Sequence, residues 1–88
     1  MTIRISDDVL FRDLSGEAVI LNLSSGVYFG LDEVGTRMWD LFAEHGACEK
    51  VIQILLGEYQ VEETRLRQDV DDLIRQLSEK GLVKIDTE

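Results

Sequence analysis

Apolar and polar residues alternate along the first third of the chain, with the period of two that predicts β-strands. Three such runs occur, at 9–14, 17–23 and 27–31, and they are rich in β-branched, leucine and aromatic side chains. Short turns that contain Gly16 and Gly26 separate them. Runs of this length joined by short glycine turns predict a three-stranded antiparallel meander.

After residue 31 the apolar residues recur every three or four positions, which is the period of an amphipathic helix. The first predicted helix begins after Asp32, a good N-cap, and ends before Gly46. A second begins near Cys48, and a third runs from about 63 to 80, with Gly81 at a position where helices commonly end. The order predicts an α+β fold: a three-stranded antiparallel sheet followed by three helices, a winged-helix-like layout with the strands first.

The apolar stripe of the third helix predicts which of its faces is buried. Its members are Leu66, Val70, Leu73, Ile74 and Leu77. On a helical wheel residues 70, 73 and 77 lie within about 40° of Leu66, whereas Ile74 lies near 80° from Leu66, so about a quarter-turn away. We therefore expect Ile74, Arg67 and Asp71 to lie on the flank of the stripe, so that Ile74→Asp keeps the fold. Residues 83–85 are expected to form a short extended tail.

An excess of acidic residues limits the partners of this chain. The 88 residues are enough for a single domain, 1–88 with its core over about 9–85, and they carry a formal net charge of −9. Such a surface repels nucleic acids and anionic membranes, because both are bound through cationic side chains. Cys48 is the one cysteine, which excludes an internal disulfide. The N-terminus has no apolar signal region and no apolar run approaches the ~20 residues that span a bilayer, so we expect a cytoplasmic protein.

Residues capable of catalysis or metal binding are present without the arrangement that either would need. His45 and Cys48 could suggest a thiol–imidazole pair, but no third group that would orient the imidazole is evident. Asp69, Asp71 and Asp72 lack the spacing of a calcium loop and lie on a predicted helix, where they alternate with arginines. We therefore predict no enzymatic activity, no metal and no cofactor.

Two segments resemble the PqqD-like family, whose members are also called RiPP recognition elements. The first is VILNLSSGVYFGLDEVGTRMW at 19–39, with a strand that ends Leu-Asn-Leu, a glycine hairpin, an aromatic strand and an acidic N-cap. The second is DVDDLIRQLSEKGLV at 69–83, which resembles the third helix of the family and its Gly-Leu-Val close. Among family members the chain is most similar to the stand-alone recognition proteins of lasso-peptide pathways. It differs in the Ser-Ser-Gly-Val-Tyr-Phe hairpin from the member that serves pyrroloquinoline quinone synthesis.

The resemblance implies that this chain is a non-catalytic adaptor. Such a protein binds the leader region of a ribosomally made precursor peptide and presents it to a processing enzyme, here the leader protease and cyclase of a lasso-peptide system. The strand at 27–31 carries none of the charges that protect natural edge strands, so we expect the leader to pair there as an added strand. Apolar leader side chains would enter a groove beside the third helix, and we expect Ile74→Asp to weaken leader binding by more than tenfold. The sequence leaves open which flank of this helix lines the groove, and the alternative is the flank near Asp69 and Gln76. The predicted peptide-binding residues are Val27, Tyr28, Phe29, Gly30, Leu31, Arg67, Val70, Asp71, Ile74 and Arg75.

Two alternatives remain open at this point. The chain could be a PqqD-type chaperone that delivers a precursor peptide to a radical SAM enzyme, in pyrroloquinoline quinone synthesis or a related pathway. It could also be a winged-helix DNA-binding regulator, since the predicted outline permits that fold. The net charge of −9 and the mixture of acidic and basic residues on the third helix argue against a DNA-binding surface.

Overall fold

The computed structural model describes residues 2–86 and confirms the predicted α+β class. A three-stranded sheet, whose strands lie side by side in chain order, precedes three helices, and a second sheet pairs the first strand of the chain with the last. The elements are β1 (Thr2–Ile5), β2 (Val9–Leu14), β3 (Glu17–Asn22), β4 (Tyr28–Gly30), α1 (Glu33–His45), α2 (Cys48–Glu58), α3 (Glu63–Glu79) and β5 (Val83–Asp86).

The pairing of β1 with β5 is the part of the fold that the sequence pattern did not predict. The two strands are antiparallel, with Ile3 opposite Ile85. The extended tail predicted at 83–85 makes up most of β5. Ile3 is buried, and its amide donates to the carbonyl of Gly46 at the end of α1 (2.8 Å). A four-residue strand whose partner lies at the far end of the chain carries no local turn signal, so periodicity alone could not assign it.

The three-stranded sheet turns one face toward the helices. Ala18, Ile20 and Asn22 of the central strand β3 are buried on that face. Phe11 of β2 stacks on Trp39 of α1, with ring centroids 6.1 Å apart. The meander predicted from the alternation is therefore confirmed, with β4 shorter than the predicted run at 27–31.

One hydrogen bond caps the start of α1, and a second fixes it to this sheet. The carboxylate of Asp32 accepts from the amide of Gly35 (2.7 Å), which confirms Asp32 as the N-cap. The buried hydroxyl of Thr36 accepts from the amide of Ala18 in β3 (2.9 Å). Because these bonds hold α1 directly after β4, the edge of the sheet and the first turn of α1 form one continuous surface.

The buried face of α3 differs from the predicted stripe. Its buried residues are Leu66, Val70, Ile74 and Leu77. Leu73 is only partly buried, whereas Ile74 is 1% exposed, so the prediction that Ile74 lies on the flank is wrong. The physical reason is that α3 packs against both α2 and β5, which turns its buried face toward Ile74 and away from Leu73. Ile74→Asp would therefore place a charge in the core.

Candidate functional site

The free edge of β4 presents main-chain hydrogen-bonding groups. The amide of Leu31 donates to the carbonyl of Ala18 (2.8 Å), and the carbonyl of Val27 accepts from the amide of Asn22 (2.9 Å). In an antiparallel ladder such pairs alternate, so residues 27, 29 and 31 face β3. Tyr28 and Gly30 therefore direct their amides and carbonyls away from the sheet.

The side chains of β4 divide in the same alternating way. Tyr28 is 68% exposed and Gly30 is exposed, while Phe29 is half-buried against the core and Leu31 is buried. The ammonium of Lys80, just after α3, lies 5.9 Å from the centroid of the Phe29 ring. Of the predicted strand residues, Tyr28 and Gly30 are thus accessible to a partner, and Phe29 and Leu31 support the edge from inside.

A groove runs from the first turn of α1 along α3. One cavity of about 370 Å³ lies where Asp32 and Gly35 face Leu73 and Gln76 of α3. A second cavity of about 550 Å³ extends to the α2–α3 connection, where Tyr59 and Val61 line it. The two cavities share Val34, Met38 and Asp69. We call this continuous depression the α1–α3 groove.

The α1–α3 groove is joined to the β4 edge at Asp32. A depression at the end of the sheet, beside the turn between β2 and β3, is lined by Leu14, Glu17, Ala18, Val19, Gly30, Leu31 and Asp32. Asp32, which follows β4 by two residues, also lines the first cavity of the groove. Val34 and Leu73 offer apolar surface, while Asp69 is exposed at the rim. An extended peptide beside Tyr28 and Gly30 would therefore lie next to a groove in which Val34 and Leu73 alternate with acidic side chains.

Four of the predicted helix residues line a different cavity. Arg67, Val70, Asp71 and Ile74 surround a space of about 410 Å³ between α2 and α3, together with Cys48. Arg67 donates to Glu49 of α2 (3.0 Å) and to Glu63 (2.8 Å), and Arg75 donates to Asp71 (2.8 Å). The structure therefore does not bring these residues to the β4 edge. The α1–α3 groove lies on the opposite flank of α3, which is the alternative flank near Asp69 and Gln76. It is also lined by Asp72 and Leu73, which were not predicted as site residues.

The two side chains considered for catalysis lie at helix ends, His45 at the end of α1 and Cys48 at the start of α2. Burial raises the pKa of the Cys48 thiol, which favours the protonated and weakly nucleophilic form. His45 lies 3.8 Å from the carboxylate of Glu44, its neighbour in sequence. Within residues 2–86 no three His, Cys, Asp or Glu side chains are grouped so that they could hold a metal ion. No helix in this part of the chain is long and apolar enough to cross a bilayer.

Comparisons with known proteins agree with this architecture. A family model described as coenzyme PQQ synthesis protein D (PqqD) matches residues 17–83. The structure is similar to that of TbiB1 in complex with the TbiA(beta) leader peptide, with a TM-score of 0.89 and 35% identity, over 97% of this chain and 99% of that chain. It also shares its fold with lasso peptide synthetase B1 complexed with the leader peptide, with a TM-score of 0.85 and 24% identity, over 97% and 100% of the two chains. No curated protein sequence matches the chain.

The family match covers well over half of the chain, and it includes β3, β4 and all three helices. These are the elements that build the β4 edge and the α1–α3 groove. The chain is therefore a member of the PqqD family, the family of RiPP recognition elements.

Proposed function

We propose that this chain is a non-catalytic adaptor that binds the leader region of a ribosomally made precursor peptide. The leader adds a strand beside β4, pairs with Tyr28 and Gly30, and lays its apolar side chains in the α1–α3 groove. The observation that carries the proposal is that Asp32, two residues after the end of β4, lines the first cavity of the groove, so the β4 edge and the groove are adjacent. Support also comes from TbiB1, a 35% identical protein whose structure contains a leader peptide.

Both parts of the site are needed to bind a disordered peptide. Two residues with outward-facing groups offer at most four main-chain hydrogen bonds, each worth about 1 kcal/mol net. Ordering each residue of the peptide costs about 1–2 kcal/mol, so strand pairing alone does not give a stable complex. The balance must come from apolar burial, at about 25 cal/mol per Å². Val34, Met38 and Leu73 of the groove supply the apolar surface against which this burial occurs.

The adaptor would hand its peptide to a separate processing enzyme in the cytoplasm, where ribosomal precursors are made. We propose the cysteine protease and cyclase of a lasso-peptide pathway, on the basis of the resemblance in the hairpin Ser24–Phe29. A radical SAM enzyme is the partner if the pathway is instead of the pyrroloquinoline quinone type. The chain itself would contribute binding and orientation and no bond-breaking step.

Gly30 allows a sharp test of strand addition. Gly30→Pro removes an amide that faces away from β3 and replaces it with a ring that obstructs an incoming strand, without removing a bond within the sheet. Gly30→Ala is the matched control, because it keeps the amide and its Cβ meets no atom within 4 Å. We expect Gly30→Pro to weaken binding of the leader encoded beside this chain by more than tenfold in calorimetry, and Gly30→Ala by less than twofold.

Hydrogen exchange gives an independent measurement on the unmodified protein. On addition of the leader, the amides of Tyr28 and Gly30 should become protected, while that of Phe11 on the opposite edge of the sheet changes little. Protection confined to β2 or to the helices would contradict strand addition at β4, even for a peptide that binds tightly. Absence of any binding by the encoded leader would contradict the proposed function itself.

A further inference from the structure

Asn22 is a buried polar side chain, 9% exposed, at the end of the central strand β3. Its Oδ1 accepts from the amides of Ser24 (3.0 Å) and Ser25 (3.2 Å) in the turn before β4. Its Nδ2 donates to the carbonyls of Lys80 (3.1 Å) and Gly81 (3.4 Å) just after α3. Both ends of the amide are therefore hydrogen-bonded, and they bond to different parts of the fold.

These bonds connect the two walls of the proposed peptide site. On one side, Asn22 shapes the hairpin that presents β4, and its main-chain amide also donates to Val27 (2.9 Å). On the other side, it holds the C-terminal end of α3, where Gly81, the second residue after the helix, has a positive φ of 71°. A Cβ at Gly81 would lie 3.0 Å from the Asn22 Nδ2, so the contact is close. Lys80 adds a second link through its position over the Phe29 ring.

We infer that Asn22 is a positioning residue for leader binding, which sets the separation between the β4 edge and α3. This inference rests on the proposed function. A peptide that pairs with Tyr28 and Gly30 reaches Leu73 and Gln76 at the same time only when the edge and the helix are held at one spacing. With that spacing fixed before binding, the second contact forms at a high effective concentration and little ordering remains to be done.

The chemistry of the amide explains why asparagine suits this position. One group must accept two hydrogen bonds on one side and donate two on the other, which a carboxamide does and a carboxylate does not. Asn22→Asp keeps an acceptor for the Ser24 and Ser25 amides. It places a negative oxygen against two carbonyls instead of a donor, and so it breaks the link to α3 selectively. Ser25→Ala is the matched control, because it removes only the bond from the Val27 amide to Ser25 Oγ (3.3 Å) within the hairpin.

The test compares two synthetic peptides on each variant. One is the full leader of the cognate precursor, and the other is the same leader with one groove-binding apolar residue changed to alanine, so that it keeps enough apolar contact to bind measurably. We expect Asn22→Asp to weaken the full leader by more than tenfold and the alanine-substituted leader by a clearly smaller factor, because part of the contact with the groove is already lost in that peptide. Ser25→Ala should leave both affinities within twofold of the wild-type values.

The outcomes separate positioning from general stability and from failure of the proposed function. Equal weakening of both peptides, or no weakening of the full leader, would overturn the inference. If Asn22→Asp does not fold, Asn22→Gln replaces it, because glutamine keeps the amide and lengthens the link by one methylene. The same result is expected for this variant, a larger loss of affinity for the full leader than for the alanine-substituted leader. Failure of both variants to fold would assign Asn22 to stability and equally overturn the inference. A full leader that does not bind the wild-type protein would instead reject the proposed function.

Discussion

The two flanks of α3 carry similar polar residues and are used differently. On the flank toward α2, Arg67 is held by Glu49 and Glu63 in a set of ion pairs. On the flank toward α1, Leu73 and Gln76 line the α1–α3 groove, and no element within residues 2–86 covers them. The helix therefore has one flank that is occupied by contacts within the protein and one that is available to a partner.

If the leader binds in the α1–α3 groove, as proposed, charge on α3 is a poor guide to its binding face. Arginines flanked by acidic residues are obvious candidates for a binding site in a sequence, yet Arg67 and Arg75 donate hydrogen bonds to neighbouring carboxylates of the same protein. Exposed ion pairs of this kind add little to stability and have few donors left for a ligand. The groove is recognised instead by the apolar surface that packing leaves uncovered.

The largest effect, on stability, should come from a charge introduced at Ile74, on the buried face of α3 between its two flanks. Ile74→Asp replaces a core residue that is 1% exposed, and burial of an unpaired carboxylate together with the lost packing should cost more than about 3 kcal/mol. We expect chemical denaturation followed by circular dichroism to show a largely unfolded protein. Gln76→Glu, an exposed change on the same helix, is the control and should unfold near the wild-type midpoint. A cooperative transition unchanged in Ile74→Asp would contradict the burial of this side chain.

The next effect should be confined to binding. Leu73→Asp changes the residue beside Ile74, but here the side chain is partly exposed in the α1–α3 groove. We expect a folded, moderately destabilised protein whose affinity for the encoded leader falls by more than tenfold, since an apolar wall becomes charged. Isothermal titration calorimetry on the folded variant provides the measurement. Retained affinity would remove the groove from the proposed site and leave strand pairing alone.

The smallest effect should come from the occupied flank. Arg67→Gln removes the ion pairs with Glu49 and Glu63, and leader affinity should stay within twofold of the wild-type value. Its effect on stability should depend on pH, because Arg67 lowers the pKa of Glu49 in the folded protein. The ion pair stabilises the fold at pH values above the ordinary pKa of a glutamate, and this contribution disappears as the pH falls through the lowered pKa.

Thermal unfolding of the two proteins measures this dependence. The wild-type midpoint should exceed that of Arg67→Gln slightly near pH 7, and the two should converge in acid. Divergence in acid, or a large loss of leader affinity at neutral pH, would return Arg67 to the binding site.

The sequence predicted the locally determined parts of this molecule. Alternation and turn glycines predicted β2, β3 and β4, and the uncharged run at 27–31 predicted the edge now proposed for pairing. The pairing of Ile3 with Ile85 could not be predicted, because it joins segments that are distant in sequence. The groove flank could not be predicted either, since a helical wheel is symmetric about its stripe, and only the packing of α2 against α3 breaks that symmetry.

The alternation of β4 also fixes the register of a bound leader strand. Only Tyr28 and Gly30 offer outward groups, two positions apart, so a bound strand has one set of side chains directed toward the helices and the other set directed away. Shifting such a strand by one residue exchanges the two sets completely. Insertion or deletion of a single leader residue between the paired strand and its groove-binding side chains would therefore direct the wrong side chains toward the groove. Many substitutions of the side chains that are directed away would leave binding unchanged.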